Sequence, residues 1–315
     1  MNKILITFGL ALSLIFSQAF AGSSKPIKVG TGGMEGNYYG MMQDINDYCA
    51  DMLDRSLDIQ ETKGSIQNLS GMTNKKFALI WVQEDVLKYY ARQTPSKVND
   101  NRMKIVTGGH EEALQLLIPK GYKPESSGSS WSKVSSMFSS DTPKALDLTL
   151  LKGQVIGSYG GSMTSTKALS LFLGLNLNVV EIPKDRIGQA GDVPILLVGG
   201  VPYAPIEAYL ATGKYNLVPI DARQLQDKAP FYNDTTINYE VAGELVSVKT
   251  AGVRALLVGK SYRKASKNEN MINLASCISD NLEDIADDGD TNANWSSVLD
   301  LEEAGQTNWS YFELK

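Results

Sequence analysis

The run Lys28-Val29-Gly30-Thr31-Gly32-Gly33-Met34-Glu35-Gly36-Asn37-Tyr38-Tyr39 decides how this chain is read. An extended segment enters a glycine-rich turn and then reaches Asn37, a residue that can open a helix. The pattern returns at Glu61-Thr62-Lys63-Gly64-Ser65-Ile66-Gln67-Asn68, where Ser65 is the candidate cap. A strand that turns through glycine into a helix presents bare backbone N–H groups and the positive end of a helix dipole. Two such ends side by side suit a small anion. The expectation is a binding site and not a catalytic one.

The surrounding pattern sets the fold class. Residues 27–29 read as a short strand, and the helix after them carries Met41, Ile45, Tyr48 and Met52 on one face. Residues 57–61 form a second strand and 66–73 a short helix. Residues 77–82 are continuously apolar, as in a strand buried on both faces. Gln83-Glu84-Asp85 then opens a helix through Tyr90. This alternation predicts a parallel sheet with helices on its faces. Ligands of such sheets bind at the carboxyl ends of the strands. Thr31, Gly64 and Gln83 each sit just past a strand end and are expected to converge.

Residues 103–107 and 114–118 read as two further strands. A serine-rich stretch, about 124–142, breaks the pattern and is expected to be an exposed insertion. A second α/β unit follows. Residues 148–152 make a helical turn ended by Gly153, and 154–157 a strand. Tyr159-Gly160-Gly161-Ser162-Met163-Thr164-Ser165-Thr166 then repeats the opening logic, with a helix that stops at Gly174. Strands are expected at 179–182, 195–198 and 217–220, with a helix at 206–210 behind the loop Gly199-Gly200-Val201-Pro202-Tyr203. The chain then returns to the first unit through strands 245–249 and 255–258 and a helix over 271–285. Trp295, Val298, Leu301, Trp309 and Phe312 pack the final segment onto a surface.

Composition narrows the function. The chain has 315 residues, 43% hydrophobic and 21% charged, which is the range of a soluble globular protein with room for two domains. A formal charge of -5 gives no support for nucleic-acid binding. Lys3, an apolar run over 4–16 and Ser17-Gln18-Ala19-Phe20-Ala21 predict a cleaved signal peptide over 1–21, and so an exported protein. Cys49 and Cys277, the only cysteines, either pair in an oxidising compartment or are two buried thiols. The single histidine, His110, excludes multi-histidine zinc sites. A hydrolytic triad would have to use it. It is read as an ordinary loop residue beside Glu111 and Glu112. The glycines do not fit the dinucleotide fingerprint, because the third would have to replace Glu35. No cofactor and no metal are expected.

One helix end is worth roughly 0.3–1 kcal/mol to an anion. Three fall short of the approximately 8 kcal/mol that micromolar binding needs. Hydrogen bonds, aromatic contact and exclusion of water must add the rest. Tyr38, Tyr39, Trp81 and Tyr203 are candidates, although Trp81 lies in an apolar strand and suits the core.

Three motifs in order, Val29-Gly-Thr-Gly-Gly-x-x-Gly-x-Tyr-Tyr39, Thr62-x-Gly-Ser-x-x-Asn68 and Ile80-x-Val-Gln-x-Asp85, resemble the TAXI family of solute receptors (TRAP-associated extracytoplasmic immunogenic proteins). The likeness continues at Leu151-Lys-Gly153, 160–164, Gly200-Val-Pro202, Pro230-Phe-Tyr232 and Thr236-Ile237. It implies a type II-like periplasmic binding protein with two α/β lobes around a ligand cleft. Lobe I would take 22–117 and 240–315, and lobe II 118–239. It implies a small anionic solute, an amino acid such as glutamate or an organic acid, delivered to a TRAP-type membrane transporter. The contacts it implies are Thr31, Gly32, Tyr38, Gly64, Ser65, Asn68 and Gln83 from the first lobe. From the second they are Gly160, Ser162, Thr164, Val201 and Pro202. A periplasmic monomer is expected. The rival readings are a sensor without a transporter and a secreted hydrolase.

Overall fold

The computed structural model describes residues 25–122, 145–189, 191–304 and 307–314. The expected signal peptide and the serine-rich stretch lie outside them. Three strand-to-helix units come first: β1 (Ile27–Gly30) to α1 (Asn37–Cys49), β2 (Leu57–Gln60) to α2 (Ser65–Thr73), and β3 (Leu79–Gln83) to α3 (Glu84–Gln93). β4 (Met103–Pro119) follows, then β5 (Val155–Ser158), α4 (Ser162–Leu173), β6 (Asn178–Glu181) and β7 (Ile195–Gly199). The chain continues through α5 (Ala204–Ala211), β8 (Tyr215–Val218), α6 (Arg223–Gln226), β9 (Tyr232–Val241) and β10 (Glu244–Lys260). It ends with α7 (Glu269–Asp280), α8 (Leu282–Asp287) and α9 (Trp295–Ala304).

The strands form one sheet in the order β2-β1-β3-β10-β4-β7-β5-β6, with β8 pairing β4 and β9 pairing β10. β1 runs parallel to β2 and β3, and β5 parallel to β6 and β7. The middle is different. β10 is antiparallel to β3 and β4, and β4 is antiparallel to β7. The sheet is therefore mixed, and the expected all-parallel pattern holds only within each flank.

Each half of the sheet is packed on both faces, as strand alternation requires. In the first half, Leu79 and Trp81 face one apolar cluster with Met41, Ile45 and Leu257, while Ile80 and Val82 face another with Leu69, Met72 and Leu256. In the second half, Leu116, Leu196 and Val198 face one cluster, and Leu117, Ile195 and Leu197 the other. The result is two α/β lobes, each with its own core, joined by the long strands β4 and β10. The two-lobe α/β architecture expected from the sequence is the one the chain adopts.

Several local expectations need correction. The strands expected at 103–107 and 114–118 are one, and so are those at 245–249 and 255–258. Their apolar patterns are interrupted by Gly108-Gly109-His110-Glu111-Glu112 and by Thr250-Ala251-Gly252. β9 was not legible at all. The helix expected over 271–285 breaks at Asn281. Met52 is 58% exposed, because α1 ends at Cys49 and a tighter 3₁₀ turn rotates Met52 outward. Cys49 and Cys277 form a disulfide that ties α1 to α7.

Candidate functional site

A cavity of about 720 Å³ lies between the lobes. Gly32, Glu35, Asn37 and Tyr38 bound it from the turn after β1 and the start of α1. Gly200, Val201, Pro202 and Tyr203 bound it from the loop between β7 and α5. His110 and Glu112 reach it from β4, where that strand passes from one lobe to the other. The lobes touch at its rim. A methyl group added to Gly200 would stand 2.9 Å from Asn37 Nδ2.

A β-bulge sets the middle of β4. Glu111 pairs with Arg254 and Gly108 with Leu256, so Gly109 and His110 together oppose Ala255. Such an extra residue re-aims the side chains beside it. Gly109 has to be small, since a Cβ there would meet Trp81 Cζ3 at 2.5 Å. His110 is thus a buried strand residue and not the expected loop residue.

A polar chain runs behind the cavity. Gln83 Nε2 donates to Glu112 Oε2 at 2.5 Å. Ser65 Oγ accepts from the Gln83 N–H at 3.1 Å and lies 3.4 Å from Gln83 Oε1. Ser165 Oγ, from the other lobe, donates to the same Gln83 oxygen at 3.4 Å. Asp85 accepts from the Tyr232 hydroxyl at 3.0 Å. His110 Nε2 stands 3.4 Å from Asn37 Nδ2 and 3.7 Å from Glu112 Oε1. Among the described residues three buried side-chain polar atoms have no hydrogen-bond partner: the Tyr38 hydroxyl and His110 Nδ1, on residues that line the cavity, and Trp81 Nε1 on the ring stacked against Tyr38. Glu112 and Ser65 lie beside the Tyr38 hydroxyl, but neither completes a bond with it. Buried polar groups are normally satisfied, so these exceptions call for an explanation.

Burial dominates the electrostatics. It pushes the Glu112 carboxyl up to about 7, with the nearby Asp85 adding and the adjacent Tyr38 hydroxyl and the bond from Gln83 opposing. Burial likewise raises Asp85 to about 6, against hydrogen bonds from Ser165 and Tyr232. It lowers His110 to about 4, so the imidazole is neutral at physiological pH and does not form an ion pair with Glu112. Burial and then Glu112 raise the Tyr38 phenol well above its ordinary value, and raise Tyr203 to about 12.

The sequence candidates fall into three groups. Gly32, Tyr38, Val201 and Pro202 line the cavity. Ser65 and Gln83 belong to the polar chain behind it. The others are not at the cavity wall. Thr31 Oγ1 donates to Gln60 O at 2.9 Å. Asn68 Nδ2 donates to Thr31 O at 2.6 Å and to Trp81 O at 2.8 Å, tying the ends of β1 and β3 together. Gly64 supplies the left-handed turn, φ 86°, that starts α2. Gly160 is a positive-φ turn residue, and Thr164 is buried in α4.

The hydroxyl caps are also placed differently from expectation. Asn37 and Ser65 are the first helical residues, and Gly36 and Gly64 occupy the cap positions. Ser162 Oγ accepts from the Val198 N–H at 2.9 Å and donates to Val198 O at 3.1 Å. Both serine hydroxyls are therefore committed to the backbone of a neighbouring strand and hold helix to sheet. Tyr203, a candidate for aromatic contact, lines the cavity, whereas His110, Glu112 and Ser165 were not among the candidates. The signal available was the acid and histidine cluster directly ahead of a buried apolar strand.

No protein-family model matches the sequence, and no curated protein matches it. Solved structures of similar shape exist. One, from Bordetella bronchiseptica RB50, is 11% identical and covers 92% of this chain and 85% of its own, with a TM-score of 0.48. MatC from Rhodopseudomonas palustris, with bound malate, is 13% identical over 87% of this chain and 88% of its own, with a TM-score of 0.46. A histidine kinase sensor domain with similarity to periplasmic binding proteins is 8% identical over 88% of this chain and 95% of its own, with a TM-score of 0.44. All three are loose likenesses of shape.

Proposed function

We propose that this chain is an extracytoplasmic solute receptor of the type II-like, two-lobe periplasmic binding class, which captures a small solute between its lobes. The observation that carries the reading is the Tyr38 hydroxyl. It is buried and has no hydrogen-bond partner, and Tyr38 lines a cavity walled by both lobes. A bound solute would supply the missing bond. Closure of the lobes would exclude water and complete the contacts. The lobes exchange chain near 109–113 in β4 and near 250–254 in β10, because Ala113, Leu114, Ala251 and Val253 pack in the second lobe's cores while Val106, Ala255 and Leu256 pack in the first's.

The contacts proposed are Gly32, Tyr38, Val201 and Pro202 at the cavity wall, with Ser65 and Gln83 holding Glu112 behind it. The TAXI-like motifs support delivery to a TRAP-type transporter in the membrane, and residues 1–21 support export. The disulfide fits an oxidising compartment. The neighbours of His110 Nε2 are the Asn37 amide and the Glu112 carboxylate and not a serine or cysteine, which favours binding over hydrolysis.

Native mass spectrometry of freshly purified protein tests the reading. A small molecule retained in the gas phase, and lost in Tyr38→Ala with Ser65→Ala, is the expected result. An empty wild-type protein that no solute stabilises would overturn it. Turnover of the retained molecule would replace it with an enzymatic function.

A further inference from the structure

We infer that the solute is a small organic cation whose ammonium group seats against Glu112, within a surround of Tyr38, His110 and Tyr203. This rests on the receptor reading above and names the class of solute. It departs from the anionic solute that the helix ends suggested.

The charge inventory of the cavity is one-sided. Glu35 and Glu112 are its charged wall residues, and no lysine or arginine lines it among the described residues. The titratable groups that act on Glu112, Tyr38 and Tyr203 from the elements packed around them are the carboxylates Asp85 and Glu112 and, at Tyr203, the Tyr159 phenol. Gln83 and His110, the other polar neighbours of Glu112, are neutral. A carboxylate brought here would meet acids with no cation to answer it. The serine hydroxyls expected to receive it are already bonded to backbone.

The aromatic frame suits a cation. Tyr38 stacks on Trp81, with centroids 5.6 Å apart and planes at 14°, and meets His110 edge-on at 5.7 Å. Aromatic faces attract ammonium groups, most strongly where water is excluded. An ammonium group offers three donors. Glu112 can take one, and the Tyr38 hydroxyl oxygen, buried without a partner, can take another. Asn37 Nδ2 faces His110 Nε2 at 3.4 Å and can only donate to it, so the neutral imidazole carries its proton on Nδ1 and frames the site without accepting from the ammonium.

Titration calorimetry of the full chain with putrescine, L-lysine, L-glutamate and malate, near pH 6 and near pH 8, tests the inference. With Glu112 titrating at about 7, roughly a tenth of it is ionised at the lower pH and about nine-tenths at the higher. Cation affinity should rise about tenfold between them, as the competent fraction does. Glu112→Gln should lose at least about tenfold in affinity and flatten that dependence. Glu35→Gln, at the exposed rim, should lose less and fold regardless. Binding of glutamate or malate but of neither cation, or cation binding indifferent to Glu112→Gln, overturns the cation assignment and leaves a receptor. Silence from all four solutes also overturns it, and the receptor reading then stands or falls with the native mass spectrum.

Discussion

Gln83 and Glu112 meet across 2.5 Å, although 29 positions separate them in the chain. Gln83 ends β3 in one lobe, and Glu112 lies where β4 leaves that lobe for the other. Ser65 and Ser165 bond to Gln83 from opposite lobes. One neutral amide therefore orients a buried acid and registers the positions of two helix starts. Any solute contacting Glu112 is coupled through Gln83 to the lobe interface.

Tyr38→Phe should separate stability from binding. The hydroxyl has no hydrogen-bond partner in the fold, and a buried unsatisfied group costs about 1–3 kcal/mol. Its removal keeps the ring stacked on Trp81. The variant should melt at the same temperature as wild type or higher, yet bind the solute more weakly, by about 1 kcal/mol or more. Scanning fluorimetry and calorimetry on the same sample would check both. A less stable variant with full affinity would show that the hydroxyl serves the fold instead.

The buried acids give stability a definite pH dependence. Glu112 and Glu84 rise from 4.5 to about 7, and Asp85 from 3.8 to about 6. Between those values the folded chain holds more protons than the unfolded one, so these acids make stability fall as pH rises. His110, lowered from 6.5 to about 4, works in the opposite direction across that lower window. Above it only the acids act. The solute-free protein should therefore lose stability between about pH 6.5 and about pH 8. Glu112→Gln should match wild type near pH 4 and exceed it near pH 8, by about 3 kcal/mol at most. Urea midpoints at the two pH values would decide. Equal differences at both would remove the buried charge from the explanation.

The disulfide should matter to stability and not to the site. Cys49 and Cys277 close a sequence separation of 228, and loop-entropy arguments put such a link near 5 kcal/mol, with about 2–5 usual in practice. Cys49 is the last residue of α1, and Tyr38 is in its first turn, roughly 16 Å away at helical rise. Cys49→Ala with Cys277→Ala should lower the denaturation midpoint strongly and leave solute affinity within about twofold. A comparable loss of affinity would mean that α1 is not rigid between them.

Much of this architecture was legible because local and long-range demands agree in the flanks. The glycine turns at 30–36, 64 and 160–161, and the apolar run of β3, point to the same strand-to-helix units that form. The centre was not legible, for the opposite reason. Gly108 and Gly109 look like a loop, yet they are small because Arg254 and Trp81 fill the space beside them. Glu112 looks solvated, yet it is buried by a lobe that the sequence supplies some 90 residues later, at Gly200 to Tyr203. Thr250 interrupts an apolar strand, but its hydroxyl is answered by Leu114 O at 2.5 Å. Each residue is explained by a partner remote in sequence, and a pattern read along the chain does not contain it. Ser65 and Ser162 show the converse: the local cap signal was present, but tertiary bonds to β3 and β7 claimed the hydroxyls.

Gly109→Ala should damage the cavity through Trp81. The new methyl group would lie 2.5 Å from Trp81 Cζ3, 3.1 Å from Cη2 and 3.2 Å from the Ala255 Cβ. Trp81 is fully buried and stacked on Tyr38, so it has no exposed direction in which to yield. Overpacking of this kind costs about 1–3 kcal/mol. Movement of the indole would also displace the Tyr38 ring at the cavity wall, so affinity should fall with stability. Trp81→Phe removes the atoms that collide. Combined with Gly109→Ala it should be less harmful than the sum of the single changes, with a coupling of about 0.5–3 kcal/mol. Denaturation midpoints and solute titrations of the four proteins complete the cycle. Additive effects would mean that the strain leaves through β10 at Ala255, and that the glycine protects the sheet and not the site.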